Sequence, residues 1–123
     1  MQRILLSIKP EYVRSILAGS KRYEFRKVRC RADIDTIVIY ATAPLMQVVG
    51  EVEVNGVIED YPEQVWQLTA DFSGISKDFF DQYYRRTTRA VAYRLGKVHK
   101  YPRPRRLQDL GVSSAPQSFV YLS

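Results

Sequence analysis

The chain has 123 residues, with 19 Lys and Arg against 13 Asp and Glu, a formal charge of +6, one cysteine and one histidine. That length suits one hydrophobic core without disulfide or metal support, so residues 1–123 are expected to form a single domain. Cys30 alone cannot make an internal disulfide, and with His99 as the sole histidine a thiolate or imidazole metal site cannot be assembled, which argues against zinc chemistry and predicts no cofactor.

Charge is segregated along the chain. Residues 1–31 hold nine Lys and Arg against two acids, residues 32–84 one against ten, and residues 85–123 nine against one. If the two basic ends are neighbours in one sheet, they merge into a positive face that suits a polyanion such as nucleic acid. The alternative is that basic and acidic segments neutralise one another across the fold. No apolar run reaches the length of a membrane span, so no membrane partner is expected. The lone cysteine and a start without a charged-then-apolar leader predict a cytoplasmic protein, monomeric or weakly dimeric.

Arg3 to Lys9 alternates, with Ile4, Leu6 and Ile8 on one side, and predicts a first strand. Pro10 suits a first helical position, Val13, Ile16 and Leu17 form an apolar stripe, and Gly19 suits the left-handed residue that ends a helix. The stretch Gly19-Ser20-Lys21-Arg22-Tyr23-Glu24-Phe25-Arg26-Lys27 then turns into a strand predicted over Tyr23 to Val28. In extended backbone Glu24 and Arg26 share one face and Tyr23 and Phe25 the other, so an acid stands beside a guanidinium, with Lys21 near the same end. Two readings fit this spacing: a positively biased notch with one acceptor, and a solvated basic edge whose lysines deter pairing with another sheet.

After a basic turn, Arg29-Cys30-Arg31, the segment Asp35 to Ala41 is rich in β-branched residues and too apolar on both faces for an exposed strand. It predicts a central strand ended by Thr42-Ala43-Pro44. Gln47 to Ile58 alternates, with Val48, Val52 and Val54 expected inward and Glu51, Glu53 and Asn55 outward. Gly50 and Gly56 inside it predict a bulge, sharp coiling, or close approach of a ligand or another backbone, as the closing of a small barrel requires. Tyr61-Pro62 opens a short helix through Thr69, and Ser76 caps another expected to run to Arg86. The aromatic stripe of that helix, Phe79, Phe80, Tyr83 and Tyr84, reads as core before it reads as a stacking platform. Ala90 to Val98 predicts a strand, and Lys97 to Arg106, broken by two prolines, an extended arm or surface loop. Leu107 to Leu110 suits one turn and Ser118 to Leu122 a closing strand.

Taken with Leu6 to Tyr12, the residues Gly19, Lys21, Glu24 and Arg26 fit the pattern Gly-x-Lys-x-x-Glu-x-Arg. Further blocks follow in order: Tyr40-Ala41-Thr42-Ala43-Pro44, Val49-Gly50-Glu51, Ser73-Gly74-Ile75-Ser76 and Pro116-Gln117-Ser118-Phe119. In these blocks the sequence resembles ASCH domains of the PUA-like superfamily, of the small stand-alone bacterial or archaeal type. The resemblance implies an α+β fold, a PUA-like small β-barrel of about five or six mostly antiparallel strands with about two to four flanking helices and a cleft near the motif. It implies binding of RNA or single-stranded nucleic acid, in the regulation of transcription or translation. Some small members are hydrolases, among them ribonucleases and amidohydrolases that act on acetylated cytidine with a Lys, Thr and Glu set. Lys21 takes the place of that lysine, Glu24 stands where the threonine would be, and the set's glutamate finds no counterpart before Ser76.

Phosphate contact is the most economical account of the cations Lys9, Lys21, Arg22, Arg26, Lys27 and the Lys97 to Arg106 stretch. Tyr23, Tyr40 and Tyr101 are either stacking partners for unpaired bases or core residues whose hydroxyls reach the surface. The expected nucleic-acid-binding set is Lys9, Lys21, Tyr23, Glu24, Arg26, Lys27, Tyr40 and Ser118, for RNA, single-stranded nucleic acid or a nucleotide-like ligand. If the chain is an enzyme, it is a metal-independent hydrolase of RNA or a modified nucleoside, with Lys21, Glu24 and Tyr40 catalytic and a hydroxyl from Ser73, Ser76 or Ser118. Glu24 opposes proton loss from Lys21 and favours the lysine as a cation on an anion. A third reading, a small-ligand sensor or protein-interaction module, requires a cleft too closed for a polymer. A nucleophile elbow, metal-ligand spacing, a phosphate-binding glycine loop and a dinucleotide fingerprint are absent from the sequence.

Overall fold

A computed structural model describes residues 2–31 and 33–122. Six strands, β1 (Arg3–Ile8), β2 (Tyr23–Arg26), β3 (Thr36–Ala41), β4 (Gln47–Asp60), β5 (Ala90–Arg105) and β6 (Phe119–Leu122), form one sheet in the order β2-β5-β4-β3-β1-β6. Among the described residues only β1 and β3 pair in parallel; every other neighbouring pair is antiparallel. The sheet curls into a PUA-like half-barrel with three helices, α1 (Pro10–Ala18), α2 (Pro62–Thr69) and α3 (Lys77–Tyr83). β2 and β6 are its two edges, and Arg26 and Lys27 from one side and Ser118 and Phe119 from the other line the seam between them.

The alternation of β1 sends Ile4, Leu6 and Ile8 to the inside of the curl, with Ile37 and Ile39 of β3 and Val13 and Ile16 of α1. Burying each such aliphatic side chain is worth roughly 1.5–3 kcal/mol, so this cluster anchors the fold. Leu5 and Val38 face the other way and are also fully buried, because the turn at Leu107–Leu110 and Val112 cover that side. β3 is therefore buried along its whole length, as a central strand. A third cluster joins Phe25 of β2 and Ala90 and Ala92 of β5 to Val65 of α2 and Phe80 and Tyr84 at α3.

Four expectations need correction. Val48 does not share a face with Val52 and Val54: it packs with Leu5 and Tyr40, because the β4–β5 register slips between Val48 and Gly50 and turns the strand over. Gly50 permits this, since a Cβ there would come within 2.6 Å of the His99 carbonyl oxygen. The proline-broken segment is extended, as expected, but it is the end of β5 and not a separate arm or surface loop. β2 covers β5 only opposite Val91 to Arg94, so Pro102 and Pro104 fall where one edge has no partner strand and a missing N–H is tolerated. The third helix stops at Tyr83, with Arg86 at φ +75°, and β2 ends at Arg26, short of Val28.

Candidate functional site

The site is built by the turn that the motif encodes. Gly19, at φ +84°, ends α1 in the left-handed conformation, and the Ser20 and Lys21 N–H groups return to the Ser15 carbonyl at 3.0 and 3.1 Å. The Arg22 N–H donates to Phe72 O at 2.9 Å and its carbonyl accepts from the Leu95 N–H at 2.9 Å, which fixes the entry to β2. These bonds aim the Lys21 side chain beneath the 73–76 turn. There Lys21 is only 3% exposed, and its Nζ donates to the Ser73 carbonyl at 2.6 Å. The ammonium also lies 4.9 Å from the Phe25 ring centre and 5.5 Å from that of Tyr12. Gly74, at φ +70°, presses on the stem of the lysine so closely that a Cβ would stand 2.5 Å from Lys21 Cγ.

Burial pulls the Lys21 pKa down to about 8. The Glu24 carboxylate pushes the other way and Arg26 adds to the lowering, but desolvation dominates. Lys21 is thus a buried cation close to its own titration point at neutral pH.

Glu24 and Arg26 lie on one face of β2, opposite Tyr93 and Val91 of β5, so both turn toward the inside of the curl. Glu24 is buried. Its Oε2 accepts from Arg26 Nε at 3.0 Å and lies 2.8 Å from Nη2, so both contacts fall on one oxygen. The same Nη2 donates to the Ser7 carbonyl at 2.9 Å. A side chain of β2 therefore ties to β1 across the seam, where no backbone ladder connects the two strands among the described residues.

A cavity of about 160 Å³ opens over these groups. Lys21, Glu24 and Arg26 form its polar end, while Tyr12 of α1, Phe25 of β2 and Phe79 and Tyr83 of α3 supply aromatic walls. Tyr12 and Phe79 meet edge to face at 5.7 Å, and Phe79 and Tyr83 lie nearly parallel at 6.4 Å. Burial is also the main cause that raises the Tyr12 and Tyr83 hydroxyl pKa values, so both stay neutral donors. The aromatic stripe is divided: Phe80 and Tyr84 are core, while Phe79 and Tyr83 face the cavity.

The other expected residues are dispersed around this centre. Lys9 lines the cavity rim, 5.6 Å from the Phe79 ring centre, and Lys27 lies 4.8 Å from that of Tyr83. Ser118 lines a neighbouring cavity, and Ser76 caps α3 by accepting from the Phe79 N–H. Tyr23 stacks on Phe25 at 6.4 Å and packs against the third cluster, outside the cavity. Tyr40 is not brought to Lys21: it is 5% exposed on the opposite side of the sheet, with Leu5, Val38 and Val48. Tyr101 lies in that same cluster and donates to Glu51 Oε2 at 2.8 Å. Sequence reasoning missed Tyr12 and Ile75 as lining residues and the Ser73 carbonyl as the partner of Lys21; a backbone acceptor leaves no mark on residue type. Among the described residues, no group of three or more His, Cys, Asp or Glu side chains is placed to hold a metal ion, and no helix is long and apolar enough to cross a membrane.

The ASCH domain model matches residues 6–99, which carry this whole motif and its turn. The chain belongs to the ASCH domain family. It is 28% identical over 123 residues to an ASCH domain-containing ribonuclease of Zymomonas mobilis, covering 96% of this chain and 82% of that protein. The crystal structure of ASCH from Zymomonas mobilis superposes with a TM-score of 0.90 at 25% identity, over 98% of this chain and 87% of that one. Two Ureaplasma parvum relatives, ATP synthase subunit alpha and large ribosomal subunit protein uL22, are each 27% identical across 98% of this chain, which spans 15% and 39% of their lengths.

Proposed function

We propose that this ASCH domain binds RNA in single-stranded form and seats one unpaired base in the Lys21 cavity. The observation that carries the proposal is the make-up of that cavity: aromatic walls around a buried ammonium and a Glu24–Arg26 pair. At about 160 Å³ it is smaller than the roughly 300–1,000 Å³ pockets that take drug-sized molecules, and it suits one flat ring entering edge-first. A base held in a duplex stack cannot enter, so an unpaired strand is the substrate form. Glu24 Oε1 accepts from a base amino group, Lys21 donates to a carbonyl or phosphate oxygen, and Lys9 and Lys27 meet the backbone outside. The Z. mobilis relative named as a ribonuclease supports RNA over DNA as the polymer.

Affinity is expected to fall with salt by roughly 0.7 log units per log unit for each phosphate engaged. Absence of measurable binding at low salt, or a Lys21→Ala/Arg26→Ala double variant that binds as well as wild type, would overturn the proposal.

One observation favours a second reading, hydrolysis at the same site. A lysine with a pKa near 8 is poised to exchange a proton near neutral pH. Incubation with labelled single-stranded RNA in EDTA separates the readings. Turnover that rises through pH 8 and disappears in Lys21→Met favours the hydrolase; binding without turnover favours the binder.

A further inference from the structure

We infer that the cavity on the other side of Arg26 and Tyr83 is the subsite for the neighbouring nucleotide, so that the unit recognised is a two-nucleotide step of single-stranded RNA. This rests on the reading of the Lys21 cavity as the seat of one base. The second cavity, about 190 Å³, lies in the seam between the sheet's edge strands. Lys27 and Val28 bound it after β2, and Gln117, Ser118 and Phe119 bound it at β6.

Arg26 and Tyr83 line both cavities. A strand that places successive bases on either side of them carries its phosphodiester over the Arg26 guanidinium. That group is already held by Glu24 through Nε and Nη2 and by the Ser7 carbonyl through Nη2, so Nη1 is the donor left for the phosphate. Ser7 links the two walls, since its carbonyl accepts from Arg26 while its hydroxyl donates to Pro116 O at 2.8 Å, one residue before Gln117. Tyr83, with Lys27 against its ring, offers a second nucleotide an aromatic surface. The Gln117 amide has both a donor and an acceptor for a base edge, and the Ser118 hydroxyl the same for a ribose. The Lys21 cavity differs in carrying the charged trio Lys21, Glu24 and Arg26 at its polar end, whereas the second cavity adds the neutral Gln117 and Ser118 to Arg26 and Lys27.

Calorimetric titration of the four ribonucleoside monophosphates and of ApA, CpC, GpG and UpU tests this. The preferred dinucleotide should bind at least about fivefold tighter than its mononucleotide, the smallest gain that one further stacked base brings. A Gln117→Ala variant, changed at an exposed position that lines the second cavity and not the first, should lose that gain and keep the mononucleotide affinity. A wild-type gain below about fivefold, or a gain that survives in the variant, overturns the second subsite and leaves the base cavity standing. No binding of either ligand class overturns both.

Discussion

Replacing Lys21 by Met removes a buried charge while keeping an unbranched stem of similar length, and its effect on stability should depend on pH in a defined way. In the unfolded chain the lysine has its ordinary value of 10.5, and in the folded chain about 8. Because the folded value is the lower one, the folded state bears the full cost of the buried ammonium below pH 8, where both states hold the proton. Between pH 8 and 10.5 the folded protein releases its proton first, so wild-type stability rises relative to the variant. At 1.36 kcal/mol for each tenfold change, that rise is about 3 kcal/mol across the window. Tyr84, Tyr93 and Tyr101 have raised values, the last to about 12, so above pH 10 they lower the stability of both proteins. The difference between wild type and variant cancels them. Urea titrations at intervals from pH 7 to 10.5, with a common m-value, measure that difference. A difference that stays flat across the window would refute the claim that Lys21 is desolvated, and with it the geometry of the site.

Other outcomes follow from the same contacts. Glu24→Ala leaves the Arg26 guanidinium without its buried partner; a loss of about 3 kcal/mol in urea titration is expected, with RNA affinity reduced. Gly74→Ala sets a methyl against Lys21 at a left-handed position, so a stability loss of about 1–2 kcal/mol should accompany loss of RNA binding as the ammonium is displaced. Gly19→Ala meets open space at its own positive φ, so the same assays should show a similar stability loss with RNA affinity retained. Raising salt in an anisotropy titration of single-stranded RNA should weaken wild type more steeply than a Lys9→Ala/Lys27→Ala variant, which engages fewer phosphates.

Much of the fold was legible because its local signals are strong. Pro10 and Gly19 bracket α1, Pro62 starts α2, Ser76 caps α3, and the unbroken apolar run of β3 declares burial on both faces. The juxtaposition of Glu24 and Arg26 follows from strand alternation alone, and the sequence placed Lys21 beside them. What escaped depends on tertiary context. Gly50 signalled the bulge that the register shift there bears out, but alternation read straight across it left Val48 on the face of Val52, from which the slip turns it away. The prolines of β5 read as breakers from residue type alone, and a strand tolerates them here because β2 ends before them and leaves their edge unpaired. Tyr40 stood in the expected site because its block belongs to the same family pattern, yet its strand position turns it to the far side of the sheet. Division of the α3 aromatics between core and cavity depends on where the helix sits against β2, which residue types do not encode.

The most direct test of the account is the affinity of a fluorescent single-stranded RNA for wild type and Lys21→Met across pH 7 to 9.5, at fixed low salt. If the buried ammonium holds the ligand, wild type binds at least about tenfold tighter than the variant at pH 7, and the advantage shrinks as the pH passes about 8. Equal affinity of a folded Lys21→Met protein at pH 7 would contradict the account, as would a wild-type advantage that does not change across that range.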